Sequence, residues 1–142
     1  MPFDSTGFAP GTAPTQAADP IALYRKRRED AAALWRDVPR ERFDIETWHM
    51  ETSCGTVACA LGWLAAREHD DWRLDQEHKV LPEWGQYGSY AAGAAYFGLD
   101  IWDAKECFGF DTHANYGCNS RAVTGAMVAD KLLVQPYYVP GA

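Results

Sequence analysis

One segment of the chain combines a cysteine, a glycine and small apolar residues in a pattern that favours nucleophilic chemistry. Between Thr52 and Trp63, Cys54 is followed directly by Gly55, and the apolar residues after them recur at helical spacing. This pattern predicts a buried helix that starts at Cys54, with Ser53 or Thr56 as its N-cap. Free N–H groups and the helix dipole stabilise a thiolate at such a position. Cys54 is therefore a candidate nucleophile, with Gly55 leaving its sulfur accessible.

A cysteine nucleophile needs a base and a group that orients the base. His113 is the candidate base, with Asp111 or Asn115 as the orienting residue. The Cys-Gly start of the predicted helix resembles that of the central helix in papain-like and bacteriocin-processing cysteine peptidases, which implies a cysteine-dependent hydrolase or acyl-transfer enzyme. Those families place the histidine on a strand and a glutamine just upstream of the cysteine, and neither feature is predicted here. The alternative is that Cys54 and Cys59 are small apolar residues of a buried helix.

Soft metal ligands suggest a third kind of site, a structural zinc centre. Four cysteines and two histidines supply enough ligands for tetrahedral zinc: Cys54, Cys59, Cys107, Cys118, His49 and His113. None of these residues is spaced as Cys-x-x-Cys or His-x-x-x-His, so no zinc knuckle is predicted. The chain also has no P-loop and no glycine-rich dinucleotide turn, and we expect no cofactor.

The composition restricts the class of partner. The 142 residues carry a formal net charge of −7, which argues against direct nucleic-acid binding and favours a protein partner with a basic surface. The basic run from Arg25 to Arg28 is predicted to be the solvated face of a helix. No run approaches the roughly 18–20 apolar residues of a membrane span, and the N-terminus lacks the pattern of a secretory signal. We therefore expect a cytoplasmic protein with reduced cysteines and no membrane contact.

The predicted fold class is mostly α, a small orthogonal bundle of about five helices with one short β-hairpin. Residues 1–18 are predicted to be a disordered leader, residues 19–135 a single helical domain and residues 136–142 an extended tail. The first helix starts with Asp19 as N-cap before Pro20 and ends ahead of Pro39. The other expected elements are an irregular segment at 43–53, short strands at 73–75 and 79–81, helices at 89–97 and 101–108, a polar loop at 112–119 and a last helix capped by Ser120.

A repeated glycine pattern marks two of these helix ends. The segment Tyr96–Asp100 is echoed eleven residues later by Cys107–Asp111. In each copy, a glycine (Gly98 or Gly109) is expected in the left-handed conformation that ends a helix. The aspartate that closes each copy is expected to cap the next element.

Three motifs follow one another in a distinctive order: Phe43-Asp-x-x-x-Trp48, then Cys54-Gly-Thr-x-Ala-Cys-x-x-Gly-Trp63, then Phe97-Gly-Leu99. This order resembles a group of small proteins from bacteria and their phages, over roughly residues 43–133. No activity is attached to that group, so the resemblance implies a discrete domain and leaves the function open. Small size, acidic charge, many aromatic residues and an incomplete catalytic set favour an accessory protein that acts through protein contacts, in a phage or mobile-element setting.

Overall fold

The computed structural model describes residues 19–140, so the predicted leader and residues 141 and 142 lie outside the described part. Within it the fold is mostly α, as predicted, and the described residues form two small antiparallel sheets where the sequence predicted one hairpin. The helices are α1 (Pro20–Arg36), α2 (Ala60–Ala66), α3 (Ser89–Phe97), α4 (Ile101–Phe108), α5 (Thr112–Tyr116) and α6 (Gly125–Leu133). The strands are β1 (Met50–Thr52), β2 (Gly55–Val57), β3 (Arg73–Leu74), β4 (Pro82–Trp84) and β5 (Tyr87–Gly88), arranged as a β1–β2 hairpin and a β3–β4–β5 sheet. None of the helices between residues 19 and 140 has the length and apolar character that crossing a bilayer requires.

The first helix begins as the sequence predicts. The carboxylate of Asp19 accepts hydrogen bonds from the backbone N–H groups of Ile21 and Ala22, at 3.1 and 3.2 Å. Proline follows at the first helical position, where its missing N–H removes no helical hydrogen bond. The helix continues to Arg36 and packs mainly against α6.

Trp35 lies at the centre of the hydrophobic core. Its ring is fully buried and makes edge-to-face contacts with Phe97 and Phe108, both at 5.9 Å between ring centres. Its indole N–H donates to the carbonyl of Ala60, at 2.9 Å. A tryptophan with a satisfied N–H buries a large apolar area without leaving a polar group unpaired. The core thus joins α1, α2, α3 and α4 at this one side chain.

Part of the basic run on α1 is buried, and the prediction that the whole run is solvated is wrong. Arg25 is exposed, whereas Arg28 is only 1% exposed. Arg28 lies on the same helical face as Ala31, Ala32 and Trp35, at spacings of three, four and seven residues. Its guanidinium donates to backbone carbonyls at the C-terminal ends of α3 and α6, where the helices leave acceptors that their own N–H groups cannot all satisfy.

The segment around Cys54 forms a hairpin, and the predicted helix start at Cys54 is wrong. Ser53 and Cys54 form the turn between β1 and β2, and the N–H of Cys54 donates to the hydroxyl of Thr52, at 3.1 Å. Gly55 has a φ of +112°, which no helix contains. Helix α2 starts only at Ala60, where the sulfur of Cys59 accepts a hydrogen bond from the N–H of the helix's third residue.

The small residues of α2 allow close approach of a neighbouring segment, as predicted. A Cβ at Gly62 would overlap the carbonyl of Trp48, so the chain just before β1 lies directly against the helix backbone. The backbone N–H of Cys59 donates to the carbonyl of Thr47 in the same contact. The hairpin is therefore held against α2 by main-chain packing.

The joint between α3 and α4 matches the predicted boundaries. Gly98 ends α3 with a φ of 66°, and Asp100 caps α4 through a hydrogen bond from the N–H of Trp102, at 3.3 Å. At Gly109 the φ is −83°, so the left-handed prediction is wrong there. The N–H of Gly109 still donates to the carbonyl of Lys105, but the chain leaves the helix in an extended conformation.

Two predictions for the C-terminal third need correction. The predicted polar loop at 112–119 contains α5, which Asp111 caps. The last helix begins at Gly125 with Thr124 as its N-cap, because Ser120 belongs to a separate short 3-10 turn that Asn119 caps. Asn119, Ser120 and Thr124 all have side chains that can cap a helix, so the sequence alone does not show which of them caps the last helix.

The minor hairpin also differs from its prediction in one strand. Arg73–Leu74 pairs with Pro82–Trp84, not with residues 79–81. The reason is Asp75, whose buried carboxylate accepts hydrogen bonds from the N–H groups of His78, Val80 and Leu81 and folds the intervening residues into a turn. These hydrogen bonds lower the pKa of Asp75 to about 2.

Candidate functional site

The predicted catalytic residues lie on separate surface elements. Cys54 is exposed in the β1–β2 turn and is not at a helix N-terminus. Asp111 and His113 are both exposed, and Asp111 accepts a hydrogen bond from the N–H of Ala114 as the cap of α5. No hydrogen bond between described residues joins Cys54 to either of them. The helix dipole therefore does not stabilise a thiolate at Cys54. The hypothesis of a cysteine enzyme depends on the reactivity of Cys54 in this turn.

The other cysteines lie in different environments. All four are free, and Cys59 and Cys107 are buried. Burial raises the pKa of each of these two thiols to about 12. Cys118 is half-buried near the end of α5. Between residues 19 and 140, no three histidine, cysteine, aspartate or glutamate side chains come together as a metal site would require.

The first surface feature suited to binding is an aromatic cleft of about 380 Å³ between α3, α4 and α5. We call it the aromatic cleft, and its lining residues are Tyr90, Trp102, Lys105, Glu106, Gly109, Phe110, Asp111 and Asn115. The Trp102 side chain is 68% exposed and Phe110 is 47% exposed. Both are large apolar residues that a folded chain would otherwise bury.

The rings of the aromatic cleft are held by packing beneath them. Trp48, which is partly buried, lies 5.2 Å from Tyr90 and 6.0 Å from Phe110 between ring centres. On the rim, the ammonium of Lys105 lies 4.8 Å from the centre of the Trp102 ring, a cation–π contact. Trp102 is exposed because it lies on the side of α4 opposite to the buried face, which consists of Ala104, Cys107 and Phe108.

A second depression, of about 430 Å³, lies between the β1–β2 hairpin, the end of α2 and the turn that follows β3. We call it the polar cleft, and its lining residues are His49, Glu51, Thr56, Ala65, Ala66, Glu68, Arg73, Leu74, Gln76 and Lys79. One carboxylate oxygen of Glu51 accepts a hydrogen bond from the Thr56 hydroxyl, at 2.8 Å. The same oxygen is hydrogen-bonded to Nε2 of His49, at 2.9 Å. The His49 side chain is only 10% exposed.

Sequence reasoning considered His49 only as a metal ligand and missed its pairing with Glu51. The two residues are two apart on an extended segment, so their side chains share a face. Glu51 is also directly opposite Thr56 in the strand register. The pairing is readable from the sequence only once the Thr-Ser-Cys-Gly segment is identified as a hairpin turn between β-branched residues.

Comparison of the chain with protein-family models, with curated proteins and with solved structures finds no match.

Proposed function

We propose that this chain is a binding protein whose aromatic cleft captures a basic protein segment carrying a large apolar anchor residue. The observation that carries the proposal is Trp102, which stands 68% exposed on the rim of a preformed cleft. Tryptophan is enriched among the residues that dominate binding energy at protein interfaces. The partner's apolar side chain would occupy the space between Trp102 and Phe110.

The rigidity of the cleft supports binding by a preformed surface. Tyr90 and Phe110 are both packed on Trp48, so the walls lose little conformational freedom when a ligand enters. Burial raises the pKa of Tyr90, which keeps its hydroxyl neutral and able to donate or accept a hydrogen bond. The cleft thus joins an apolar centre to a few polar groups, the usual composition of a recognition site.

The charge around the cleft favours a basic partner. Between residues 100 and 111 the chain has four carboxylates against one ammonium, and Glu106 and Asp111 line the cleft itself. The whole chain carries a formal net charge of −7. Complementary charge raises the association rate and suppresses acidic competitors, and its effect weakens as salt screens it.

The proposed setting is the cytoplasm, at a contact between host and phage or mobile-element proteins. Its support is the motif order between Phe43 and Leu99, which resembles small proteins of bacteria and their phages. An acidic accessory protein with an apolar anchor site suits capture of a basic protein surface in that setting. Such a surface is common on proteins that bind nucleic acid.

The experiment is selection of random short peptides displayed on a library against the folded protein, followed by calorimetry with the enriched peptides. We expect these peptides to share one large apolar residue flanked by lysine or arginine. Trp102→Ala should weaken their binding by about 30-fold, the loss of about 2 kcal/mol that is typical of an interface hot spot. Because Trp102 is exposed, the substitution should leave the thermal midpoint nearly unchanged.

The matched control is Val134→Ala, which removes an apolar side chain that is 77% exposed at the end of α6. This variant should bind the selected peptides as tightly as the wild type. Enrichment of acidic peptides, or equal affinity of the wild type and Trp102→Ala, would contradict the proposal.

A further inference from the structure

We infer that the polar cleft binds a small zwitterion of the free amino-acid class, one with an ammonium group and a carboxylate. The cleft is lined by carboxylates from the β1–β2 hairpin and the end of α2, Glu51 and Glu68. It is lined by cations from β3 and the following turn, Arg73 and Lys79. A molecule with both charges would complement both sets at once. This site shares no lining residue with the aromatic cleft, so either inference can fail alone.

The decisive observation is that, among the described residues, no ion pair joins the two carboxylates of this cleft to its two cations. Within residues 19–140, Glu51 is hydrogen-bonded to His49, and the ion-pair partner of Arg73 is Glu83, which does not line the cleft. Neither Glu68 nor Lys79 forms an ion pair with a described residue. Because these carboxylates and cations line one cleft without pairing with each other, a ligand that carries both charges can bind to both sets.

The anionic group is positioned in advance. The Thr56 hydroxyl and the His49 ring both engage the same oxygen of Glu51, which leaves the second carboxylate oxygen without a partner among the described residues. His49 is held in place because its side chain is only 10% exposed. We assign His49 as a positioning residue that fixes Glu51, and the second oxygen of Glu51 as the acceptor for the ligand's ammonium group.

The cationic side is built on a constrained turn. Lys79 has a φ of 58°, a left-handed conformation that residues other than glycine rarely adopt, and on the anionic side Glu68 has a φ of 51°. The turn at Lys79 is fixed by the carboxylate of Asp75, which accepts hydrogen bonds from the N–H groups of the preceding and following residues, His78 and Val80. Arg73 is anchored by a hydrogen bond to the carbonyl of Gly85, at 2.8 Å. Such strain is kept where the surrounding structure imposes it, and it concentrates at functional sites.

The probes are the individual free L-amino acids, each matched with its N-acetyl derivative and its amide. Thermal shift identifies the amino acids that stabilise the full chain, and calorimetry measures their affinity. We expect at least one amino acid to bind. We also expect its N-acetyl derivative, which lacks the ammonium group, and its amide, which lacks the carboxylate, to bind at least about tenfold more weakly.

Variants then assign the binding to the polar cleft. Glu51→Gln and Lys79→Met should each weaken binding by at least about tenfold, because each removes one charge-assisted contact. The matched control is Glu77→Gln, which removes an exposed carboxylate that does not line the cleft and should leave the affinity unchanged. All three side chains are exposed, so the unliganded thermal midpoint should stay close to that of the wild type in each variant.

Three outcomes would overturn the inference. The first is no stabilisation by any amino acid at millimolar concentration. The second is equal binding of a singly charged derivative, or of inorganic phosphate, which would show that one charge suffices. The third is undiminished affinity in Glu51→Gln and Lys79→Met, which would place the ligand elsewhere.

Discussion

Replacing Arg28 by methionine should destabilise the protein strongly, although the residue belongs to a basic run that looks solvated in the sequence. The guanidinium is 1% exposed and stacks on the ring of Tyr137, at 4.0 Å. No described carboxylate forms an ion pair with it. Its acceptors are five backbone carbonyls, those of Phe97, Gly98, Leu132, Gln135 and Pro136, at distances from 2.7 to 3.5 Å.

The magnitude follows from the groups that lose their partner. Burying the guanidinium costs desolvation energy, as the lowered pKa of Arg28 indicates, so the five hydrogen bonds do not simply add. Arg28→Met removes that cost but leaves the carbonyls of Phe97, Gln135 and Pro136 without a donor among the described residues, each costing up to about 1–3 kcal/mol. The carbonyls of Gly98 and Leu132 keep the backbone N–H donors of Tyr138 and Gln135. We expect a net loss of about 4 kcal/mol. With an unfolding entropy of about 2.1 cal/mol/K per residue over the ordered chain, this loss lowers the thermal midpoint by roughly 15 °C.

The assay is denaturant unfolding followed by tryptophan fluorescence, with a thermal scan by circular dichroism. Arg28→Lys keeps the charge but loses the planar fork and the stacking on Tyr137, and should lose about half as much stability. The matched control is Arg25→Met, the same change at an exposed position of α1, which should stay within about 0.5 kcal/mol of the wild type. Equal stability of Arg28→Met and Arg25→Met would refute the reasoning.

Two other predictions concern a helix end and the cysteines. Gly98 and Gly117 both have positive φ, but a Cβ at Gly98 would overlap an aromatic ring of α1 whereas Gly117 faces open space. In urea unfolding, Gly117→Ala should therefore cost about 1 kcal/mol and Gly98→Ala about 2 kcal/mol or more, and equal costs would contradict the ring contact. In the native protein, iodoacetamide should label Cys54 readily and Cys59 only on unfolding, as read by mass spectrometry, because Cys54 is exposed while Cys59 is buried with a raised pKa. The rate at Cys54 should be unchanged by His113→Ala, and a slower rate in that variant would support the cysteine-enzyme hypothesis.

The elements that the sequence predicted well are those fixed by near neighbours. Asp19 caps α1, and Gly98 with Asp100 makes the joint between α3 and α4, through hydrogen bonds that span two to five residues. A side chain that satisfies a helix end three residues away acts the same way in any tertiary context. The mostly α fold class follows from the same local signals.

The segment around Cys54 shows where local pattern failed. Val57, Ala58 and Leu61 suit one face of a helix, and the same residues suit a strand followed by a helix start. The hairpin is selected by pairing between β1 and β2 and by packing of the preceding backbone on Gly62. The spacing of apolar residues cannot indicate that a carbonyl from another segment, that of Trp48, packs against the helix at Gly62.

The candidate sites depended even more on tertiary structure. The sequence by itself determined the acidic charge, the caps of α1 and α4 and the abundance of aromatic residues. The burial of Arg28 and the charge balance of the polar cleft were decided only by the folded chain. The acceptors of Arg28 lie 69 to 108 positions away, and the two sides of the polar cleft come from different elements. Contacts of that range depend on how the elements pack together, and the spacing of residues along the chain does not encode that packing in any local pattern.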